Sequence, residues 1–148
     1  MPKTGVYPVY DNAFKINTAG RGGDTAKMVA IAEMENFSVK IDGKVEEWTP
    51  METAGWLRRF MTGKSITVTL SGKRHVGDAG NDYVASKAWS TGSDCESNFE
   101  WLFPNGDTLS FPCVINVTNN GGGESTNVAP LEIDVMSDGK PTYTPASA

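Results

Sequence analysis

His75 is the only histidine in the 148-residue chain, and this limits what the chain could catalyse. Any nucleophile-imidazole pair must use it, with Cys95 or Asp78 as the partners to consider. His75 follows Lys73-Arg74 and precedes Val76-Gly77, a polar break with no sign of an oriented base. Asp78, Asn81 and Asp82 lie close by, but their spacing misses the calcium-loop pattern, and one histidine cannot build a zinc site. Gly20-Arg21-Gly22-Gly23-Asp24-Thr25 and Gly121-Gly122-Gly123 lack the glycine spacing and strand-to-helix setting of a phosphate cradle. These residues read as loops and a helix cap. No catalytic residue, metal site or cofactor is expected, and the protein is expected not to be an enzyme.

Composition narrows the classes further. A net charge of -5 and a pI near 4.8 leave out the basic footprint of a nucleic-acid binder. The apolar runs are too short for a membrane span, and the N-terminus has no secretory pattern, so a cytoplasmic place of synthesis and assembly is expected. The sequons Asn36-Phe37-Ser38 and Asn116-Val117-Thr118 carry little weight without such a pattern. Cys95 and Cys113 make no disulfide framework and are expected as free thiols.

The elements that would position any site are mostly strands. Phe37, Val39 and Ile41 alternate with polar residues, as do Ile66, Val68 and Leu70, and the period of two predicts half-buried strands. Asp42-Gly43 between them predicts a tight turn, with Val45–Trp48 as a short return strand. Thr49-Pro50-Met51-Glu52 has the composition of a helix start, predicting a helix through Met61 with Ala54, Trp56, Leu57, Phe60 and Met61 on one face and Gly63 as its stop. A second helix is expected over Asp82–Ser90, capped at Asn81, with Val84, Ala85, Ala88 and Trp89 inward.

Beyond it, Ser97–Phe103 and Thr108–Thr118 flank Pro104-Asn105-Gly106-Asp107, a strong hairpin signal. Asn119–Asn127 reads as a loop, and Val128–Met136 alternates through Leu131, Ile133 and Val135. About six or seven strands with one or two short helices predict a mainly β (α+β) domain, sandwich-like or barrel-like. Residues 1–27 read as an N-terminal arm, 28–145 as the domain and 146–148 as a tail. The arm carries Tyr7, Val9, Tyr10, Phe14 and Ile16 among breakers, more aromatics than a disordered tail has. It either lies on a partner, with Tyr7 and Tyr10 as contacts, or adds a strand to the domain's own sheet.

Four tryptophans remain. Trp89 and Trp101 sit where a core would place them, Trp101 alternating with Phe99 and Phe103. Trp48 and Trp56 flank the capped excursion and suit an interface anchor or a sugar-stacking platform.

The run V-K-I-D-G-K-V-E-E-W-T-P-M-E-T-A-G-W-L-R-R-F-M-T-G-K-S-I-T-V-T-L-S-G-K-R (39–74) resembles the tail tube proteins of bacteriophages with long, non-contractile tails. G-D-A-G-N-D-Y-V-A (77–85), F-P-N-G-D-T-L-S-F (103–111) and S-D-G-K-P-T-Y (137–143) are similar to that family in the same order, so the resemblance spans roughly residues 30–145. It implies two packed antiparallel sheets flanked by one short helix, forming hexameric rings whose inner sheets join into one barrel. Rings would stack into a conduit for the genome. The long loop, Glu46–Lys64, would contact the next ring through Trp48, Trp56, Leu57 and Phe60. The implied partners are further copies, tape-measure, tail-tip and tail-terminator proteins, and passing double-stranded DNA that is not tightly held. The implied location is the virion tail. A small sandwich-type binding module, such as a carbohydrate-binding decoration or a secretion-tube relative, is the alternative.

Overall fold

Alternating apolar residues form strands because a pleated chain can bury one face and solvate the other. The computed structural model describes residues 4–23 and 25–146. In chain order the strands are β1 (Ala13–Asn17), β2 (Met28–Ala30), β3 (Met34–Trp48), β4 (Arg58–Lys73), β5 (Glu96–Leu102), β6 (Thr108–Asn120), β7 (Pro130–Ser137) and β8 (Thr142–Thr144), with one α-helix, α1 (Ala79–Ser86), between β4 and β5. All the pairings are antiparallel, in the order β2-β1-β5-β6-β7-β4-β3, with β8 added alongside β6.

The two layers expected from the sequence are two halves of this one hydrogen-bonded sheet, which curls over itself. Phe14 of β1 and Phe37 of β3 stand far apart in strand order, yet their ring centroids are 4.8 Å apart. Between the layers lie Ile66, Val68 and Leu70 of β4, Leu131, Ile133 and Val135 of β7, and Phe99, Phe111, Cys113 and Ile115 of β5 and β6. Helix α1 closes one end with Val84 and Ala85. The expected mainly β domain with one short helix is what forms, as a single antiparallel sheet and not as two separate ones.

Several local expectations give way to the longer-range ladder. Asp42-Gly43 makes no turn; β3 runs straight through it for 15 residues, with Asp42 opposite Ser65 and Gly43 opposite Lys64. Glycine is useful there for another reason: a Cβ on Gly43 would lie 3.0 Å from the Met61 sulfur that crosses it. Gly63 likewise pairs inside β4. The helix expected over residues 50–61 shrinks to a single turn, Met51–Thr53, because Ala54 and then Gly55 adopt positive φ (52° and 92°) and end it. No side chain caps that turn, so Thr49 is not its cap. The Thr53 hydroxyl is instead shared between the carbonyls of Pro50 and Trp56, which folds the tip back toward β4.

Of the two readings of the first 27 residues, Ala13–Asn17 takes the strand, pairing with β2 and β5 and burying Phe14 and Ile16. The sheet therefore begins well before residue 28. Thr4–Asn12 lies outside it, with Tyr10 exposed and Tyr7 half-buried. Strand β8, short and polar, has no hydrophobic pattern to announce it.

Helix α1 is capped by Asp78, whose carboxylate accepts from the Asn81 amide at 2.9 Å. Asn81, expected as the cap, is buried one turn further in. Its Nδ2 donates to the Ala32 and Lys73 carbonyls (3.1 and 3.0 Å), and its Oδ1 accepts from the Arg74 guanidinium and the His75 amide (2.9 and 3.0 Å). One side chain thus ties β4, α1 and the β2–β3 connection together. Asn81→Ala strands those buried groups and is expected to lower unfolding free energy by on the order of 3 kcal/mol in urea titrations. Trp89, expected inward, is 83% exposed. The α-helix ends at Ser86 and a 3₁₀ turn, Lys87–Trp89, follows. Its tighter winding rotates the indole out of the phase an α-helix would have kept.

Candidate assembly surface

Strand β4 pairs with β7 only from Thr67 onward. From Asp42 to Ser65 the β3–β4 ladder therefore continues as a two-stranded ribbon, reaching roughly 20 Å past the sheet at about 3.3 Å per residue. A ribbon of this kind has two bare faces, and isolated two-stranded hairpins are marginal in water. Register decides what each face carries. Trp48 opposite Arg58 and Glu46 opposite Phe60 share one face; Glu47 opposite Arg59 and Val45 opposite Met61 share the other.

The apolar members are exposed: Trp48 by 41%, Phe60 by 65% and Trp56 by 79%, with Val45, Met51, Leu57 and Met61 also open to solvent. Large apolar residues grouped on a protruding element mark an interaction surface. Two contacts join its strands: the Arg58 guanidinium lies 5.5 Å from the Trp48 ring centre, and Arg59 Nε meets Glu47 at 2.6 Å. The ribbon brings together four of the expected contact residues, Trp48, Trp56, Leu57 and Phe60. Tyr7 and Tyr10 lie elsewhere, on the segment before β1.

Beside the ribbon, β3 ends the strand order, so its outer edge has no strand partner among the described residues. Val39 and Ile41 continue the core face of β4 here but are exposed, the latter by 64%. An edge this long and partly apolar is a ready template for another chain.

Of the residues weighed for chemistry, Asp78, Asn81 and Asp82 have structural partners. Asp78 caps α1 and also accepts from the Ala32 amide. His75 Nδ1 is 3.9 Å from Glu33, both partly exposed. Both cysteines are buried and free. Burial pushes the Cys113 thiol up to about 12, so it is no nucleophile at neutral pH. The Asp82 carboxyl is held below its usual range, chiefly by the Arg74 side chain at 2.7 Å. Among the described residues no group of three His, Cys, Asp or Glu side chains could hold a metal ion.

Pattern reasoning missed the latch on β8. Asp107 accepts from the Tyr143 hydroxyl and from the Ala146 amide, while Phe103 meets the Tyr143 ring. The Tyr143 hydroxyl, first, and the Ala146 amide hold Asp107 below its ordinary 3.8, and Asp107 holds the Tyr143 hydroxyl above its ordinary 10.0. A lowered carboxyl stabilises above its unfolded value and loses that contribution as pH falls through the folded one. A raised phenol stabilises below its unfolded value and loses it as pH rises through the folded one. Amide exchange at Thr142–Thr144, read at constant intrinsic rate, is therefore expected to be slowest between about pH 4 and pH 10 and to quicken on either side.

No family model matches the chain, and no curated protein matches its sequence. Solved structures do match. The tail of an empty gene transfer agent particle, determined with C6 symmetry, matches with TM-score 0.71 and 16% identity over 95% of this chain and 100% of that one. A tube-terminating cap of the anti-feeding prophage matches with TM-score 0.65 and 14% identity over 99% and 95%. A chain of an extracellular contractile injection system's sheath-tube complex matches with TM-score 0.60 and 13% identity over 94% and 91%. The chain shares its fold with these three chains.

Proposed function

We propose that this protein is a structural subunit of a phage-type tail tube, self-assembling into hexameric rings that stack into a conduit for genome ejection, without catalysis. The observation that carries this reading is the ribbon from Asp42 to Ser65, whose apolar side chains have no covering layer among the described residues. The C6 symmetry of the gene transfer agent tail supports rings of six. The open β3 edge supports ring closure, since a closed barrel removes edges. The net charge of -5 suits a channel that passes DNA, because like charge prevents the counterion-release binding of basic grooves. The long, non-contractile tail type, a location in the virion tail after assembly in the host cytoplasm, and tape-measure, tail-tip and terminator partners belong to this proposal. Tyr7 and Tyr10 belong to it as further contacts between copies.

A sugar-stacking platform of Trp48 and Trp56 is the weaker reading, because the Arg58 guanidinium already lies over the Trp48 ring. Concentrated protein in negative stain is expected to show rings or tubes. Single particles at every concentration, with tryptophan fluorescence that responds to oligosaccharide, would overturn the proposal in favour of a binding module.

A further inference from the structure

The curled sheet has an outward face on each of its halves, and the two differ. On the half formed by β1 and β5, the loop after β1 lies across the strands. Asn98 Nδ2 donates to the Arg21 carbonyl at 2.7 Å, and the Arg21 guanidinium reaches on to Asp138 and the Cys113 carbonyl, both at 2.7 Å. On the half formed by β3, β4, β7 and β6, register lines up one row across all four strands: Ser38 opposite Thr69, Thr69 opposite Asp134, Asp134 opposite Asn116. Phe37, Val68, Ile133 and Ile115, one residue away on each strand, face the core, so the row faces away from it. Its side chains are half-buried or exposed. Thr69 donates to Asp134 at 2.7 Å, and Asn119 donates to Glu132, in the next row, at 2.9 Å. The cations Lys40 and Lys73 of these strands are matched by Asp42 and Glu35 at 3.8 and 2.8 Å.

We infer that this polar face is the wall of the conduit, along which passing duplex DNA slides. This rests on the proposed self-assembly and names the surface that the DNA meets. Topology decides which way the subunit turns. Of the two strands that end the order, β2 has three residues and β3 has 15, so only β3 offers an edge long enough for another copy to extend. The half that closes into a barrel is therefore the one that contains β3. Its core face is already covered by the β1–β5 half and by α1. That covering layer must stand outside the barrel, and the face left for the lumen is the polar row. Hydroxyl and amide groups wet such a wall without holding phosphate. Glu132 and Asp134, repeated in every copy, add rings of negative charge that oppose counterion-release binding.

Reagent size tests this on tubes of the full chain. One cysteine is placed at Asn116, on the row, and in a separate chain one at Lys27, which is exposed on the other half. Asn116→Cys tubes are expected to react with a small maleimide and to resist the same group carried on a protein too wide for the bore. Lys27→Cys tubes are expected to react with both. Cys95 and Cys113 are buried, and the unsubstituted chain gives the background. Tubes carrying both Glu132→Lys and Asp134→Lys are expected to retain about tenfold more of a short fluorescent duplex DNA at low salt, the excess vanishing at high salt. Where that variant fails to assemble, the cysteine result alone decides. Asn116→Cys labelled by the large reagent, or by neither, overturns this face as the wall, and so does retention unchanged by the charge reversal. Failure of the unsubstituted chain to assemble at all overturns the function proposed above, and the wall with it.

Discussion

Trp56→Ala is expected to leave the unfolding transition of the isolated chain where it is and to raise the concentration needed for assembly about 30-fold. Both halves follow from position. Trp56 is 79% exposed at the ribbon tip, so the monomer loses almost no packing when it is cut back. In an assembly the same indole would be an aromatic anchor, and truncating one typically costs about 2 kcal/mol or more, which is the 30-fold. Trp101→Ala supplies the contrast. Trp101 packs on Phe37 and Phe103 and donates its indole N–H to Asn12 at 2.8 Å. Its loss is expected to cost about 3 kcal/mol of monomer stability, assembly failing only because the subunit unfolds. Thermal melts at low concentration with sedimentation at high concentration separate the two behaviours. A Trp56→Ala chain that melts early would place that indole in the core.

The second large effect is expected from a single methyl group. Gly72 sits near the end of β4 where the chain crosses over it at Glu33, itself at positive φ (65°). A Cβ on Gly72 would stand 2.0 Å from the Glu33 carbonyl oxygen and 2.6 Å from Met34 Cα. Both obstacles are backbone, so no rotamer change relieves them, and the β3–β4 register at Met34 must shift. Gly72→Ala is expected to destabilise by on the order of 3 kcal/mol or more in urea titrations, at the upper end of overpacking effects. Gly63→Ala, on the same strand, is the control, since its Cβ would meet nothing closer than Lys44 Cβ at 3.9 Å. Equal stability of the two variants would mean that the crossing at Glu33 is not held tightly.

What could be read from the sequence, and what could not, divides by range. Ile66, Val68 and Leu70, and likewise Leu131, Ile133 and Val135, announced themselves by alternation because each strand buries one face against the facing half of the sheet. Pro104-Asn105-Gly106-Asp107 was legible because everything that turns the chain there is local: Gly106 at φ 98°, and Phe103 donating to the Asp107 carbonyl. Asp42-Gly43 carries a similar signal yet forms no turn, since pairing along the whole of β4 outweighs the preference of one dipeptide. Thr49-Pro50-Met51-Glu52 misled in the same way. Its helix has no layer to pack against, while the flanking residues gain a ladder as strands. Phe14 and Ile16 gave too short an alternation to separate an arm from a strand. The row of Ser38, Thr69, Asp134 and Asn116 had no signature at all, for these residues come together only once β3, β4, β7 and β6 have paired.

In an assembled tube the ribbon is expected to be covered by other copies of the chain. Hydrogen exchange at the backbone amides of residues 42–65, compared between dilute and assembled protein, reads this directly. Rapid exchange in the dilute protein that slows by orders of magnitude on assembly, with the amides of β7 protected in both, is the predicted result. A ribbon that exchanges at the same rate in both states would contradict the account.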